Sequence, residues 1–411
     1  MTTDDLVREP DARLRPRGSN HAGMRQFNER VVLQAIRLHG RLPKAEIARL
    51  THLTPQTVQV IIARLEADDL VRKLEPVRGK VGQPSVPMAL NPDGAFSIGI
   101  KIGRRSMDML LVDFTGQVRQ RLSLAYDFPD ADTLFGEIDV RLKQLRRALP
   151  APLRERLYGV GIAAPLSLGG WQELLGVAPA QAARWADIDI RARVAAMTEL
   201  PVQFVKDTAA ACVAELVAGR GRSIGSFLYV FVDTFIGGGL VLDSHLRGGV
   251  HGNAGAVGSM PLGLAAGDTT GRRPAQLLSV ASLFNLESRY LARGLDAGAA
   301  SDARALTAPW LESTEAWLRE AAPAIALAIH GGACLLDLEG VIVDGSFDAA
   351  LLARLLAGVD AALGAYSWEG VTRPAVLAGT IGSDARAIGG ALLPLYAHFA
   401  PDRDLFLKLE A

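Results

Sequence analysis

Thr54-Pro55-Gln56-Thr57-Val58-Gln59-Val60-Ile61-Ile62-Ala63-Arg64-Leu65-Glu66-Ala67 reads as one helix whose start is written in its side chains. A threonine oxygen can cap the first free amides, and proline suits the first helical position because the N–H it lacks would be unpaired there. Val58, Ile61, Ile62 and Leu65 then recur at helical spacing on one face, leaving Gln56, Thr57, Gln59 and Arg64 on the other. Thr51-His52-Leu53 makes a short turn back to a second helix, Pro43 to Leu50, with Ile47 and Leu50 pointing inward. Before it, Asn28 is expected to cap a first helix carrying Val32, Leu33 and Ile36, which Gly40 ends in a left-handed turn. Downstream, Leu70 to Leu74 and Ser85 to Leu90 read as two strands around the Gly-rich loop Glu75 to Pro84. Three helices followed by a β-wing predict a winged helix-turn-helix over residues 25–92, preceded by a loose tail, 1–24, with Arg13, Arg15 and Arg17.

Such a head has one common use. Gln56, Thr57, Gln59 and Arg64 are the side chains that a third helix docked in a major groove would offer to base edges and phosphates, and Lys44 and Thr54 are further candidate DNA contacts. On the wing, Arg78, Lys80 and Gln83 lie beside Gly79 and Gly82, where a backbone can approach a duplex closely. Charge agrees. Met1 to Pro92 hold 15 Lys/Arg against 10 Asp/Glu, an excess of five positive charges; the remainder holds 29 against 34, an excess of five negative. The net charge of zero conceals a basic head on an acidic body. Double-stranded DNA is the expected partner of the head; a helical bundle that touches only protein is the alternative.

At 411 residues, 49% of them apolar, the chain should form two or three domains. Its most apolar stretch, Ala321 to Leu336, is broken by Pro323, His330 and Gly331-Gly332, and is expected to be a buried helix rather than a membrane span. Asp4, Asp5 and Glu9 exclude a signal peptide at the start, so a cytoplasmic location is expected. Cys212 and Cys334, both in apolar surroundings, are expected to be reduced core residues.

From Ala95 the period changes. Phe96 to Ile102, Met107 to Val112 and Val118 to Leu122 form a strand meander, followed by a helix, Ala131 to Ala148, and a strand, Tyr158 to Ala163. A second set starts at Phe227 to Val232, passes Gly237-Gly238-Gly239 into Leu240 to Leu242 and turns at Asp243-Ser244. The same order twice predicts two similar α/β lobes with a cleft between them.

Thr234-Phe235-Ile236-Gly237-Gly238-Gly239, Leu246-Arg247-Gly248-Gly249 and Asn253-Ala254-Gly255-Ala256-Val257-Gly258 together resemble the signature of the ROK family of bacterial sugar kinases and sugar-responsive repressors. Gly159 to Pro165, Val205 to Ala210 and Gly389-Gly390-Ala391 extend the resemblance over nearly all of Ala95 to Phe399. It implies an actin-like (ribonuclease H-like) two-lobed fold: lobe 1 over 95–210, lobe 2 over 211–382, and a C-terminal helix and tail, 383–411, returning to lobe 1.

The resemblance also implies where a kinase would work. Asp207 stands at the family's catalytic-base position, with Lys206 in place of its usual Asn neighbour. Where active relatives carry a pattern resembling D-x-G-x-T, Lys101 replaces the Asp and Arg105 the Thr. Family glycines of the second phosphate loop correspond to Asp233 and Phe235, so a carboxylate and a ring stand where backbone amides should approach a triphosphate. Sugar-contacting Glu and His correspond to Ala256 and Ser259, and an Asn after a Pro corresponds to Ala180. The family's zinc cluster has no counterpart: Met260 to Ser282 contains neither Cys nor His, and Gln276 falls at the last metal-binding Cys. The expectation is therefore no catalysis, no cofactor and no metal, with Asp207, His251 and Asn253 as candidate ligand contacts.

Three functions follow. The leading one is a DNA-binding regulator, a repressor, forming a homodimer or tetramer on a near-palindromic operator and sensing a sugar or sugar derivative. The others are an ATP-dependent sugar kinase with an added DNA-binding domain, and a regulator whose body is purely structural.

Overall fold

The structure, a computed structural model, describes residues 14–15, 21–76, 86–166, 168, 178–263, 274–401 and 408–409. Arg78, Lys80 and Gln83, and most of segment 1–20, lie outside the described residues. The chain divides into two compact units: Met1–Phe96 with Asp113–Gln117 and Leu395–Ala411, and Ser97–Val112 with Val118–Pro394.

In the first unit, β1 (Leu14–Arg15) pairs antiparallel with β15 (Lys408–Leu409), and α1 spans His21–His39. The tail expected to be loose is thus partly tied. Asn28 is no cap but an interior residue of α1, because Ala22, Met24, Arg25 and Gln26 are good helix formers that extend the helix upstream of it. Gly40 does turn left-handed, with φ 75°. β2 (Leu42–Pro43) pairs antiparallel with β4 (Pro87–Leu90), placing Pro43 opposite Pro87, so α2 starts one residue late, at Lys44–Thr51. His52 closes α2 in the left-handed region, φ 56°.

α3 occupies Pro55–Ala67, as its cap and period predict. The Thr57 amide donates to Thr54 Oγ1 at 3.1 Å, and Val58, Ile61, Ile62 and Leu65 are buried. They close a core with Val32, Leu33, Ile36, Ile47 and Met88. β3 (Val71–Lys73) runs antiparallel to β4, completing a sheet of order β2-β4-β3. Replacing Thr54 by Ala should weaken the start of α3 by about 1 kcal/mol. Native-state hydrogen exchange at the Thr57 amide reads that loss directly; unchanged protection would exclude a capping role.

The second unit holds two five-stranded sheets of one design. The first contains β5 (Phe96–Ile102), β6 (Ser106–Asp113), β7 (Val118–Ala125), β8 (Leu157–Ala164) and β9 (Val202–Lys206) in the order β7-β6-β5-β8-β9. The second contains β10 (Phe227–Val232), β11 (Gly237–Leu242), β12 (His245–Arg247), β13 (Gly340–Gly345) and β14 (Ala375–Ala378) in the order β12-β11-β10-β13-β14. In each, a meander edge leads into a parallel pair, β8 with β9 and β13 with β14. The repeated strand order is that of the actin-like fold.

Helices cover the sheets: α4 (Ala131–Ala148), short α5 (Pro179–Ala183) and α6 (Ile190–Ala195), α7 (Asp207–Ala218), α8 (Leu278–Ala281), α9 (Leu283–Leu291), α10 (Leu311–Leu336), α11 (Ala349–Leu363) and α12 (Ala385–Phe399). The apolar run read as a buried helix is the second half of α10, where Ala321, Ile325, Ala326 and Ile329 are buried against β10 and β13 residues Val230 and Val343 in one cluster. No helix among the described residues is long and apolar enough to cross a membrane. Cys212 is buried in α7, as expected, but Cys334 is exposed. The last turn of α10 leaves the core there, and neighbouring Leu335 is 83% exposed.

α12 lies very close to β8. A Cβ on Gly161 would stand 2.0 Å from the Gly390 carbonyl oxygen, and one on Gly389 would stand 1.7 Å from that of Ala210. Only bare backbone allows this approach, which brings the start of α12 beside the start of α7.

Candidate functional sites: the cleft and the third helix

The cleft of the second unit forms where β5 and β9 of one sheet end opposite the β10–β11 loop of the other. Its volume is about 230 Å³, and its lining includes Arg104, Lys206, Asp207, Asp233, Phe235 and Arg386. Asp207 opens α7, and its Oδ1 accepts the Thr208 amide at 2.9 Å. Arg386, in the first turn of α12, forms a salt bridge with Asp233 and stands 3.8 Å from Asp207. All three side chains are only 14–15% exposed. The guanidinium of Arg386 also lies over the Phe231 ring, 5.3 Å from its centroid. The carboxylate at the family's catalytic-base position therefore faces a buried arginine.

The two loops that correspond to the family's phosphate cradle meet through their side chains. Arg104, from the loop after β5, lies over Phe235 at 5.1 Å. Burial holds its guanidinium below the ordinary arginine range, with Asp207 and Asp233 opposing. Next to it, Arg105 makes a bidentate bond to Glu287 of α9, at 3.0 and 3.2 Å. Lys101 turns away from the cleft and donates to Ser106 Oγ at 2.6 Å and Asp108 at 3.4 Å. Burial pushes its ammonium below the usual lysine value, an effect that Arg386 reinforces and Asp108 counters.

Gly237, Gly238 and Gly239 form no turn; they are the first residues of β11. A Cβ on Gly237 would meet Thr208 Cγ2 at 2.8 Å and one on Gly239 would meet Cys212 Cβ at 2.6 Å, so the stripe lets α7 sit on the strand. Thr208 Oγ1 donates to the Gly238 carbonyl, at 2.9 Å.

Of the three expected ligand contacts, only Asp207 lines the cleft. His251 and Asn253 are exposed and outside it, because Gly249, Gly252 and Gly255, with φ of 76°, 73° and 72°, curl the segment after β12 outward. Ala180 is likewise exposed, in α5. Ala256 and Ser259 do line the cleft. Sequence reasoning missed Arg104 and Arg386: Arg104 falls at a variable position of the stretch resembling D-x-G-x-T, and Arg386 is far from both carboxylates in sequence. Among the described residues, no group of three or more His, Cys, Asp or Glu side chains could hold a metal ion.

On the head, Gln56 and Gln59 are exposed on the outer face of α3, as expected. Thr54 and Thr57 are tied to one another, their hydroxyls 2.8 Å apart, so they belong to the cap. Arg64, in the last turn, pairs with Glu29 of α1 at 3.6 Å. Lys44 is half-buried at the start of α2. A further side chain shares the outer face: Val60, 48% exposed, which the helical period had left unassigned. An apolar side chain there suits a thymine methyl group.

The ROK family matches residues 97–395. The chain belongs to the ROK family. A winged helix-turn-helix DNA-binding domain matches residues 28–72. The xylose repressor of Bacillus subtilis (strain 168) is 24% identical over 243 residues, 58% of this chain and 61% of that one. The bifunctional enzyme NanE/NanK of Brucella melitensis biotype 1 is 32% identical over 211 residues, covering 50% of this chain and 37% of the enzyme. The chain spans about three fifths of the length of the curated ROK repressors it matches. A crystal structure of a ROK family transcriptional regulator, a homologue of the E. coli MLC protein, superposes with a TM-score of 0.65 at 18% identity, over 92% of this chain and 98% of that one. At that identity the likeness speaks for the fold alone.

Proposed function

We propose that this ROK protein is a DNA-binding transcriptional regulator, a repressor, whose body no longer transfers phosphate and instead couples protomers and senses a small molecule. The observation that carries the proposal is the outer face of α3, where Gln56, Gln59 and Val60 stand free on a rigid, capped helix within a basic head. Glutamine can pair in two-point fashion with adenine, and each such contact discriminates by about 1–3 kcal/mol. A symmetric pair of heads would read a near-palindromic operator. An effector alters the spacing of the heads only by favouring one arrangement of the body over another.

The test is selection of bound fragments from genomic DNA at moderate ionic strength. Gln56→Ala and Gln59→Ala should each relax preference at their own base positions by about 1–3 kcal/mol. Arg78→Ala and Lys80→Ala, proposed from sequence, should weaken all fragments alike and flatten the salt dependence. No selectivity in the parent protein, or selectivity untouched by both glutamine changes, would defeat this reading.

One observation favours a kinase: Asp207 is retained and faces the cleft. Against it, Asp233, Phe235 and Arg104 put side chains where a triphosphate needs backbone amides. A coupled assay with Mg-ATP and common hexoses is expected to be silent; turnover that Asp207→Asn abolishes would reverse the assignment.

A further inference from the structure

Among the described residues, the side chains that line the cleft carry an excess of positive charge. Arg104, Lys206 and Arg386 line it against Asp207 and Asp233, three cations to two carboxylates. Arg386 takes Asp233 and stands beside Asp207. Lys101 is turned toward Asp108 and does not line the cleft. Lys206 is left over. It is half-buried, and among the described residues its ammonium has no hydrogen-bond or ion-pair partner. Burial holds that ammonium below the ordinary lysine range, with Asp207 pulling the other way. A desolvated cation that the described residues leave unmatched is stabilised by an anion brought from outside.

We propose that the cleft binds a small hydroxylated monoanion, a sugar acid or similar hydroxy acid, with its carboxylate on Lys206. The proposal rests on reading the body as a sensor and names the class of molecule sensed. One negative charge matches the excess; a second would face Asp207 and Asp233 without a further cation to meet it. A volume of about 230 Å³ falls below the roughly 300–1,000 Å³ of drug-sized pockets, which suits one ring or a short open chain. Thr234 and Ser259 bring hydroxyls to the same lining, for the ligand's polyol part.

The test is calorimetric titration and thermal shift of the full chain, without DNA and at low salt. The probes are D-gluconate, D-glucuronate and D-galacturonate, their neutral counterparts D-glucose and D-galactose, and D-glucose 6-phosphate. At least one acid should bind, at least about tenfold more tightly than its neutral counterpart. Lys206→Gln should weaken that acid by about tenfold or more, while Lys206→Arg keeps most of the affinity. Absence of binding by every acid at about 10 mM would overturn the proposal. So would equal binding of the neutral sugar, tighter binding of the phosphate ester, or affinity untouched by Lys206→Gln in a variant that unfolds like the parent. The titrations contain no DNA, so a protein that selects no fragment would sink the regulator reading without altering these curves. Silent titrations beside intact DNA selection would sink only the monoanion.

Discussion

Glu215→Ala should remove about 3–5 kcal/mol of stability, among the largest losses any single change in this chain can produce. Glu215 is fully buried in α7, and its carboxylate accepts three backbone amides. Oε1 takes Thr380 at 2.5 Å and Ile381 at 3.0 Å, and Oε2 takes Arg220 at 2.7 Å. Thr380 Oγ1 adds contacts at 3.3 Å to both oxygens. One side chain thus ties α7 to the segment after β14 and to the turn that follows α7. Alanine would leave three part-buried amides without this acceptor, each costing up to about 1–3 kcal/mol, and a void beside them. Glu215→Gln keeps one acceptor oxygen but turns an amide donor toward amide donors, so its loss should fall between the parent and alanine. Urea unfolding followed by circular dichroism reads both. A loss under about 1 kcal/mol for alanine would mean that these amides find other partners.

How much of this was legible in the sequence depended on the range of the interactions. α3 came out residue for residue because its cap, its proline and its apolar period are all local. So did α4 and β10. The start of α1 did not: a capping residue such as Asn28 is a permissive signal, and good helix formers upstream overrode it. The glycine run Gly237 to Gly239 suggests a tight turn but lies within β11, since nothing nearby in sequence says that Thr208 and Cys212 press on it. His251 and Asn253 lie outside the cleft lining for a related reason. Their neighbourhood in sequence suggested the cleft, while three left-handed glycines turned them to solvent. The cleft's decisive residue was the least legible. Arg386 acquires meaning only when α12 is laid against β8 and α7, through contacts that Gly161 and Gly389 permit.

That arginine supports the second large prediction. Arg386→Met should cost about 3–5 kcal/mol, because it takes from a nearly buried carboxylate its salt-bridge partner. Methionine keeps most of the volume over Phe231 but none of the charge, so Asp233 loses its salt bridge and Asp207 its nearest guanidinium. Adding Asp233→Asn removes the stranded charge and should restore more than half of the loss. In a double-mutant cycle the two changes would then couple strongly rather than add. Losses that simply add, or a single-variant loss within about 1 kcal/mol of the parent, would show that the pair is solvent-screened and incidental. The outcome bears on function as well as stability. Where a phosphate loop needs open amides and a mobile cation, this chain has fixed a carboxylate, an aromatic ring and two arginines against one another, 14–15% exposed at the central pair. If Arg386 holds the loop shut as a structural element, the Arg386→Met/Asp233→Asn protein should still fail to hydrolyse ATP, since Phe235 and Arg104 continue to fill the space. Recovery of phosphate transfer by that double variant alone would instead make the salt bridge the sole barrier to catalysis.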